Sequence, residues 1–452
     1  MLKKITAAAC AALTALAVAV PASAQSRRGG GIQLLSDAET DYVIRGLAKP
    51  VFDAAGIDPK ALRIFLVNDR TLNAFVAGGQ NIFLNTGLIL EANPAELAGV
   101  VAHETGHISG GHLVRGKDAM EAAMLTSLIG LGLGIIGGVA SGNAQAGMGG
   151  VMLGQQLAER SFLAFSRAQE SAADAAGLTF LSRAGMSAEG MYTFLKKLDA
   201  ENPILSNDRD VGYRITHPLT RERIETVRQA VATSPHTGKP IPEKWRESYE
   251  RVQAKLYAYL EPGRALTRFR ADDRAMAARY GRAYAYFRRG DVREAVPLVD
   301  ALIRDEPKNA FFHELKGDLM LQNGRAADAA APYRAAIAAA PDASTIRVSL
   351  AHALVETGDR RHADEAIRNL EIAGKSLPQS AFLWRLLASA AALKGDNALV
   401  AYAGAEEAFA SGDRGRAKLL ADRAVKLLPA GSPRRLRAQD IAGQLARPKA
   451  GE

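Results

Sequence analysis

The sequence is almost free of cysteine, with Cys10 the only one in 452 residues. Cys10 lies in an N-terminal segment that is predicted to be cleaved, so the mature chain would carry no thiol and no disulfide. We therefore expect a protein whose stability, even in an oxidising compartment, rests on packing alone.

The sequence also lacks a strong charge imbalance. Loss of the two lysines in the N-terminal segment would lower the formal net charge from +9 to +7. Neither a base-reading motif nor a concentrated basic stripe accompanies this mild excess, so we expect no nucleic-acid partner. An anionic membrane surface is compatible with it.

The first 24 residues have the pattern of an export signal. A short basic start precedes an apolar run that reaches Val20, and the sequence Ala-Ser-Ala ends at Ala24. This arrangement is typical of a secretory signal peptide with an A-x-A cleavage site. It predicts cleavage after Ala24 and a periplasmic location.

The most informative segment is a helix whose start can be identified directly. Asn93 suits the N-cap, Pro94 suits the first helical position, and Glu96 completes a capping box. The apolar residues 97–102 that follow predict a buried helix, whose polar face therefore needs partners.

This helix carries an H-E-x-x-H motif formed by His103, Glu104 and His107. Histidines four residues apart share one helix face and can bind one metal ion, and Glu104 can hold a water beside that ion. The motif therefore predicts a site for one zinc ion per chain.

The third ligand is not expected on the same helix. A metzincin would place a histidine at position 113, which is Leu113, and the neighbouring histidine is His112. At about 100° per residue, His112 points roughly opposite to His103 if the helix continues. We therefore do not expect His112 to bind the metal.

A second helical segment offers two carboxylates. Glu170 and Asp174 lie four residues apart in a helical pattern that ends near Gly185. A gluzincin needs such a pair, in which Glu170 binds zinc and Asp174 accepts the free N–H of a ligating histidine and fixes its tautomer. The alternative is two solvated acids on a surface helix.

The C-terminal part shows an internal repeat. Gly290, Gly324 and Gly358 recur at spacings of 34 residues, and each is followed five residues later by an alanine. Thirty-four residues is the tetratricopeptide period, which predicts a helical solenoid with a concave binding surface. The alternative is an alanine-rich helical bundle with coincidental turns.

The combined motifs resemble one family. The H-E-T-G-H sequence is followed by R-A-Q-E-S-A-A-D at 167–174, with Asn73–Ala77 upstream and Thr216–Thr220 downstream. Over about residues 32–230 the chain resembles the HtpX-type family of gluzincin zinc peptidases. With its export signal and repeats, it is most similar to the periplasmic, BepA-like members.

The resemblance implies how a substrate binds. In the family, residues matching positions 73–77 form an edge strand along which an extended substrate pairs. Here these residues are Asn73, Ala74, Phe75, Val76 and Ala77. Independently, residues 62–67 are predicted to form a strand, and residues 78–81 predict the turn of a hairpin. Asn73 taken alone is equally well explained as a turn residue.

The role of His217 has two interpretations. The residues alone favour an ordinary loop histidine ahead of Pro218. The resemblance implies instead that this loop reaches the metal site. There His217 would either stabilise the oxyanion or occupy the open zinc position as a closing switch, and both roles stay open.

Residues 122–158 contain no charged residue. Their many glycines weaken a transmembrane interpretation, and a single crossing would place His107 and Glu170 on opposite sides of the bilayer. We predict a flexible or hairpin insert. Peripheral membrane contact, cover over the active site and ordinary core burial all stay open.

These patterns predict an α+β, mostly helical gluzincin-type metallopeptidase domain followed by an all-α tetratricopeptide-like solenoid. The expected boundaries are residues 1–24 for the signal peptide, 25–264 for the peptidase domain and 265–452 for the repeats.

The expected activity is that of a periplasmic zinc endopeptidase in which Glu104 is the general base. The resemblance implies unfolded or misassembled envelope proteins as substrates, within outer-membrane protein quality control, and contact of the repeats with outer-membrane assembly machinery. The alternative is a repeat-based chaperone or adaptor whose protease site is latent and normally closed.

Overall fold

The computed structural model describes residues 33–58, 61–112, 166–200, 213 and 216–446. The predicted signal peptide and the uncharged insert at 122–158 lie outside these residues. Within the described ranges, no helix combines the length and the apolarity that crossing a bilayer requires.

A four-stranded sheet opens the described chain, with the spatial order β1-β2-β4-β3. Its strands are β1 (Leu34–Leu35), β2 (Arg63–Val67), β3 (Ala74–Ala77) and β4 (Asn81–Asn85). The β2–β4 pair is parallel and the other two pairs are antiparallel. The strand predicted at 62–67 and the hairpin turning at 78–81 are both present. Among the described residues, β3 pairs only with β4 and is an edge strand.

Helices α1 to α7 complete the N-terminal part together with this sheet. They are α1 (Ala38–Ala54), α2 (Thr86–Glu91), α3 (Pro94–Ser109), α4 (166–183), α5 (Glu189–Ala200), α6 (Arg221–Thr233) and α7 (Glu243–Leu260). The predicted capping box of α3 is confirmed, since Asn93 accepts from the Glu96 backbone N–H and Glu96 accepts from that of Asn93. The core combines α1, α3 and α5 with β4, as with Val43, Ile82 and Val100.

The remaining helices follow one another in an all-helical array. They are α8 (Pro262–Arg268), α9 (Met276–Arg289), α10 (Val292–Asp305), α11 (Ala310–Gln322), α12 (Ala326–Ala339), α13 (Ser344–Glu356), α14 (Ala363–Gly374), α15 (Ala381–Lys394), α16 (Asn397–Ala410), α17 (Arg414–Leu427) and α18 (Pro433–Ala446). The predicted repeat turns are present, because Gly290, Gly324 and Gly358 have φ values of 77°, 71° and 66°. Only glycine adopts this left-handed conformation at little cost.

Buried polar contacts join the array to the N-terminal part. Tyr280 of α9 donates its hydroxyl to Glu39 of α1 at 2.7 Å, and the Lys255 ammonium of α7 lies 3.4 Å from the same carboxylate oxygen. Ala258 of α7 shares an apolar cluster with Tyr280. The predicted domain boundary at residue 264 stays a prediction, and extensive contacts cross it.

Candidate metal centre

Close packing of α3 on α4 brings the two halves of the centre together. A Cβ on Gly106 of α3 would lie 2.5 Å from the Ala173 carbonyl oxygen of α4. A Cβ on Gly177 would lie 3.1 Å from the Ala102 carbonyl carbon. Two glycines on facing helices therefore let the backbones approach, so that the carboxylates of α4 meet the histidines of α3.

Four side chains converge in the resulting space. His103, His107, Glu170 and His217 each offer one ligand atom, and these atoms lie within 4.8 Å of one another. The two Nε2 atoms of His103 and His107 are 3.1 Å apart. Glu170 Oε2 lies 3.3 Å from the His103 nitrogen, and Glu170 Oε1 lies 3.3 Å from the His107 nitrogen. The side chains that the sequence predicted as ligands therefore meet at one point.

Asp174 lies behind His103, one helical turn after Glu170. Its Oδ1 is 2.8 Å from Nδ1 of His103, where it fixes the tautomer that turns Nε2 toward the cluster. Burial lowers the His103 pKa, but hydrogen bonds to Asp174 and Glu170 outweigh burial and raise it to about 9. Both carboxyl pKa values lie below their usual range, because His103 and its neighbours outweigh the opposing effect of burial. The carboxyl groups are therefore ionised at neutral pH.

Arg223 of α6 is the buried cation that balances these carboxylates. Its guanidinium donates to both Asp174 oxygens at 2.6 and 2.9 Å and lies 2.9 Å from Glu170 Oε2. It also donates to the Pro218 carbonyl at 2.8 Å. Burial opposes its charge, but Asp174 raises the Arg223 pKa further. Arg223 thus fixes the carboxylates and the loop that carries His217 in one network.

His217 reaches the cluster from that loop. Its Nδ1 lies 3.3 Å from His103 Nε2 and 3.2 Å from Glu170 Oε1. Its Nε2 lies 3.1 Å from the Ala74 carbonyl oxygen on β3 and 3.4 Å from Glu104 Oε1. An N–H at Nε2 would donate to Ala74, which leaves the Nδ1 lone pair directed at the other ligand atoms.

The predicted substrate strand lies beside this histidine. β3 covers Ala74–Ala77, and Asn73 precedes it with its carbonyl accepting from the Asn85 backbone N–H at 3.0 Å. The Thr216 hydroxyl donates to the Asn73 side chain at 3.1 Å, so Asn73 fastens the histidine loop to the strand. In an antiparallel pair, hydrogen-bonded and non-hydrogen-bonded residue pairs alternate. The backbone groups of Ala74 and Val76 therefore face away from β4, toward the edge of the sheet.

Glu104 is fully buried next to the cluster. Within the part of the chain that the structure describes, neither of its carboxylate oxygens accepts a hydrogen bond. A buried carboxylate is costly without a donor, so such a group calls for a functional explanation. A site that places a water or a substrate N–H against Glu104 provides one.

Sequence reasoning missed two residues of the centre. Arg223 lies six residues after His217, near the start of α6, and nothing in its local sequence marked it as buried. His112 was expected to point away along a continuing helix, but α3 ends at Ser109 and His112 Nδ1 lies 3.0 Å from His107 Nδ1. The premise of a continuing helix was wrong, because two glycines end α3 at that point.

Comparisons with known proteins agree with this arrangement. Residues 37–231 match the model of peptidase family M48, and residues 280–344 match a tetratricopeptide repeat. The beta-barrel assembly-enhancing protease of Yersinia pestis is 28% identical over 341 residues, which cover 73% of this chain and 68% of that protein. Its Escherichia coli (strain K12) namesake is 27% identical over 376 residues, 80% of this chain and 74% of that protein. A protease HtpX homolog of Acidiphilium cryptum is 32% identical over 207 residues, 38% of this chain and 69% of that protein.

Proposed function

The chain belongs to peptidase family M48 and is a metallopeptidase, and from this premise we propose that it is a periplasmic zinc endopeptidase that degrades misfolded or misassembled envelope proteins. The observation that carries the proposal is the convergence of His103, His107, Glu170 and His217 on one point.

The donor set fits zinc. Imidazole nitrogens and one carboxylate are the ligands of catalytic zinc sites, which keep one position open for water or substrate. We assign His103, His107 and Glu170 as the ligands of one zinc per chain. When bound, zinc would act as a Lewis acid on a water and on a peptide carbonyl. The orphaned Glu104 carboxylate beside the ligands supports this fit.

Side chains of the protein would carry out proton transfer and hold the ligands in place. Glu104 would take a proton from the attacking water at its carboxylate and later deliver it to the leaving amine. Asp174 holds the Nδ1–H of His103, and Arg223 neutralises the buried carboxylates. Both fix ligand geometry, and neither exchanges protons with the substrate.

We assign His217 the role of closing the site in this conformation. Its Nδ1 lies among the atoms that would hold a metal, and its Nε2 faces the Ala74 carbonyl on the unpaired edge of β3. An oxyanion donor would instead direct an N–H at the reacting carbonyl. The contacts therefore favour the closing-switch role, in which one side chain blocks both the fourth position and a pairing site for substrate.

An extended, unfolded chain is the substrate that this site suits. Ala74 and Val76 turn backbone groups toward the unpaired edge of β3, which would bind main chain without requiring a particular sequence once His217 leaves the Ala74 carbonyl. The tetratricopeptide repeats are suited to protein interactions, and we assign them the recognition of envelope clients or of outer-membrane assembly machinery. The names of the relatives and the predicted signal peptide support that setting.

Incubation of the purified mature chain with an unfolded outer-membrane β-barrel protein tests the proposal. We expect cleavage that a zinc chelator stops and added zinc restores, while the folded β-barrel stays intact. The alternative of a chaperone or adaptor with a latent site predicts suppressed aggregation of the same substrate without cleavage, in the presence or absence of zinc.

A further inference from the structure

The chain makes a sharp turn directly after the helix of the H-E-x-x-H motif. Gly110 caps α3, and Gly111 follows with φ 63°, a conformation that only glycine adopts easily. A Cβ on Gly110 would lie 2.3 Å from Nε2 of His112. The two glycines therefore let His112 fold back over the end of its own helix.

The folded-back ring meets His107 edge to face. The ring centroids are 5.0 Å apart at an interplanar angle of 82°, and the two Nδ1 atoms are 3.0 Å apart. His112 is 7% exposed, so the contact is shielded from solvent. Between two neutral imidazoles at this distance, one Nδ1 donates and the other accepts.

The direction of this hydrogen bond follows from the role of His107. A histidine that offers the Nε2 lone pair to a metal carries its proton on Nδ1. His107 therefore donates and His112 accepts, with the His112 proton on Nε2. Gln169, the neighbour of Glu170 on α4, donates to the His112 carbonyl at 3.2 Å and holds this residue against the centre.

We propose that His112 is a positioning residue for the metal: it accepts the Nδ1–H of His107 as Asp174 accepts that of His103. The two ligating histidines would then be oriented by different partners, one by a carboxylate and the other by an imidazole. This inference rests on the proposed role of His107 as a metal ligand.

Zinc affinity, measured by competition with a chromophoric chelator, is the first test. We expect His112→Leu to weaken zinc binding about 10–100-fold, because lost outer partners of ligating histidines have effects of this size. His112→Asn keeps an accepting oxygen and should recover part of the affinity. Gly110→Ala, which leaves His112 in place but crowds its ring, should also weaken binding. His362→Leu, which removes a histidine hydrogen-bonded to Thr357 in the repeats, should bind zinc like wild type.

Nitrogen NMR on the wild-type chain with labelled histidines is the second test and needs no variant. We expect the metal-free protein to show His107 protonated at Nδ1, with His112 as its acceptor. Unchanged zinc affinity in His112→Leu, or a His107 protonated only at Nε2, would overturn the inference. A wild-type chain that binds no zinc would instead overturn the proposed function.

Discussion

At the scale of single residues, a substitution of His217 tests its role directly, because His217 is not one of the three proposed zinc ligands. His217→Ala removes the imidazole from the cluster of potential ligand atoms and removes its contact with the Ala74 carbonyl. We expect faster cleavage of a generic unfolded polypeptide, with zinc retained, since His103, His107 and Glu170 remain. Initial rates at matched zinc occupancy measure this.

The sign of the His217→Ala effect decides between the roles. A loss of about 100-fold or more in turnover with zinc still bound would identify an oxyanion donor and contradict closure. Activity equal to wild type would return His217 to an ordinary loop histidine.

Helical periodicity placed His103 and His107 on one face of α3 and Glu170 and Asp174 on one face of α4. The gluzincin pattern, rather than periodicity, predicted that the two faces meet. Local sequence could not find Arg223, whose burial depends on how α6 packs against α4. It could not orient His112 either, because that expectation assumed a continuing helix, whereas α3 ends at Ser109 before Gly110 and Gly111. The site residues that were missed depend on tertiary packing and on backbone turns.

At the scale of elements, the edge strand β3 gives a prediction about substrate. The Val76 backbone faces the open edge while its side chain packs in the core. Val76→Pro removes the outward N–H but no hydrogen bond to β4. Val76→Ala is the matched control, since it loses core packing and keeps the N–H.

We expect kcat/KM on an unfolded substrate to be about 2–10-fold lower for Val76→Pro than for Val76→Ala, the size of one hydrogen bond. Zinc content should be the same in both. Equal kcat/KM values would show that substrate does not pair with β3 at this position.

The secondary elements were predicted well where a local signal was strong. The start of α3, the hairpin and the repeat turns each follow from a capping box or from glycines at turns, and all are present. The order of strands in the sheet was not predicted, because the parallel β2–β4 pairing depends on tertiary packing rather than on a turn signal.

At the scale of the whole molecule, ionisable side chains lie near the junction where Tyr280 of the repeats contacts Glu39 of the N-terminal part. Asp318 of α11 accepts the Tyr333 hydroxyl at 2.6 Å. Burial raises the Asp318 pKa to about 6, with Asp37 acting in the same direction and Tyr333 and Lys255 opposing it. Burial likewise raises the pKa of Glu314 on the same helix.

A carboxyl group whose pKa is raised by folding stabilises the folded state when the pH is below the pKa that the group has in the unfolded chain. For Asp318 this stabilisation is lost as the pH rises through about 6. We therefore expect the melting temperature of the wild type, relative to Asp318→Asn, to rise by about 2 °C between about pH 7.5 and about pH 5. Calorimetry of both chains measures the difference. A difference that is independent of pH would show that Asp318 does not titrate at this junction.

The most direct test of a zinc peptidase with Glu104 as its base compares metal content and cleavage in three chains: wild type, Glu104→Gln and His103→Ala. We predict about one zinc per chain and cleavage for wild type, the same zinc without cleavage for Glu104→Gln, and loss of both for His103→Ala. A wild-type chain that binds no zinc, or a fully active Glu104→Gln chain, would contradict the account.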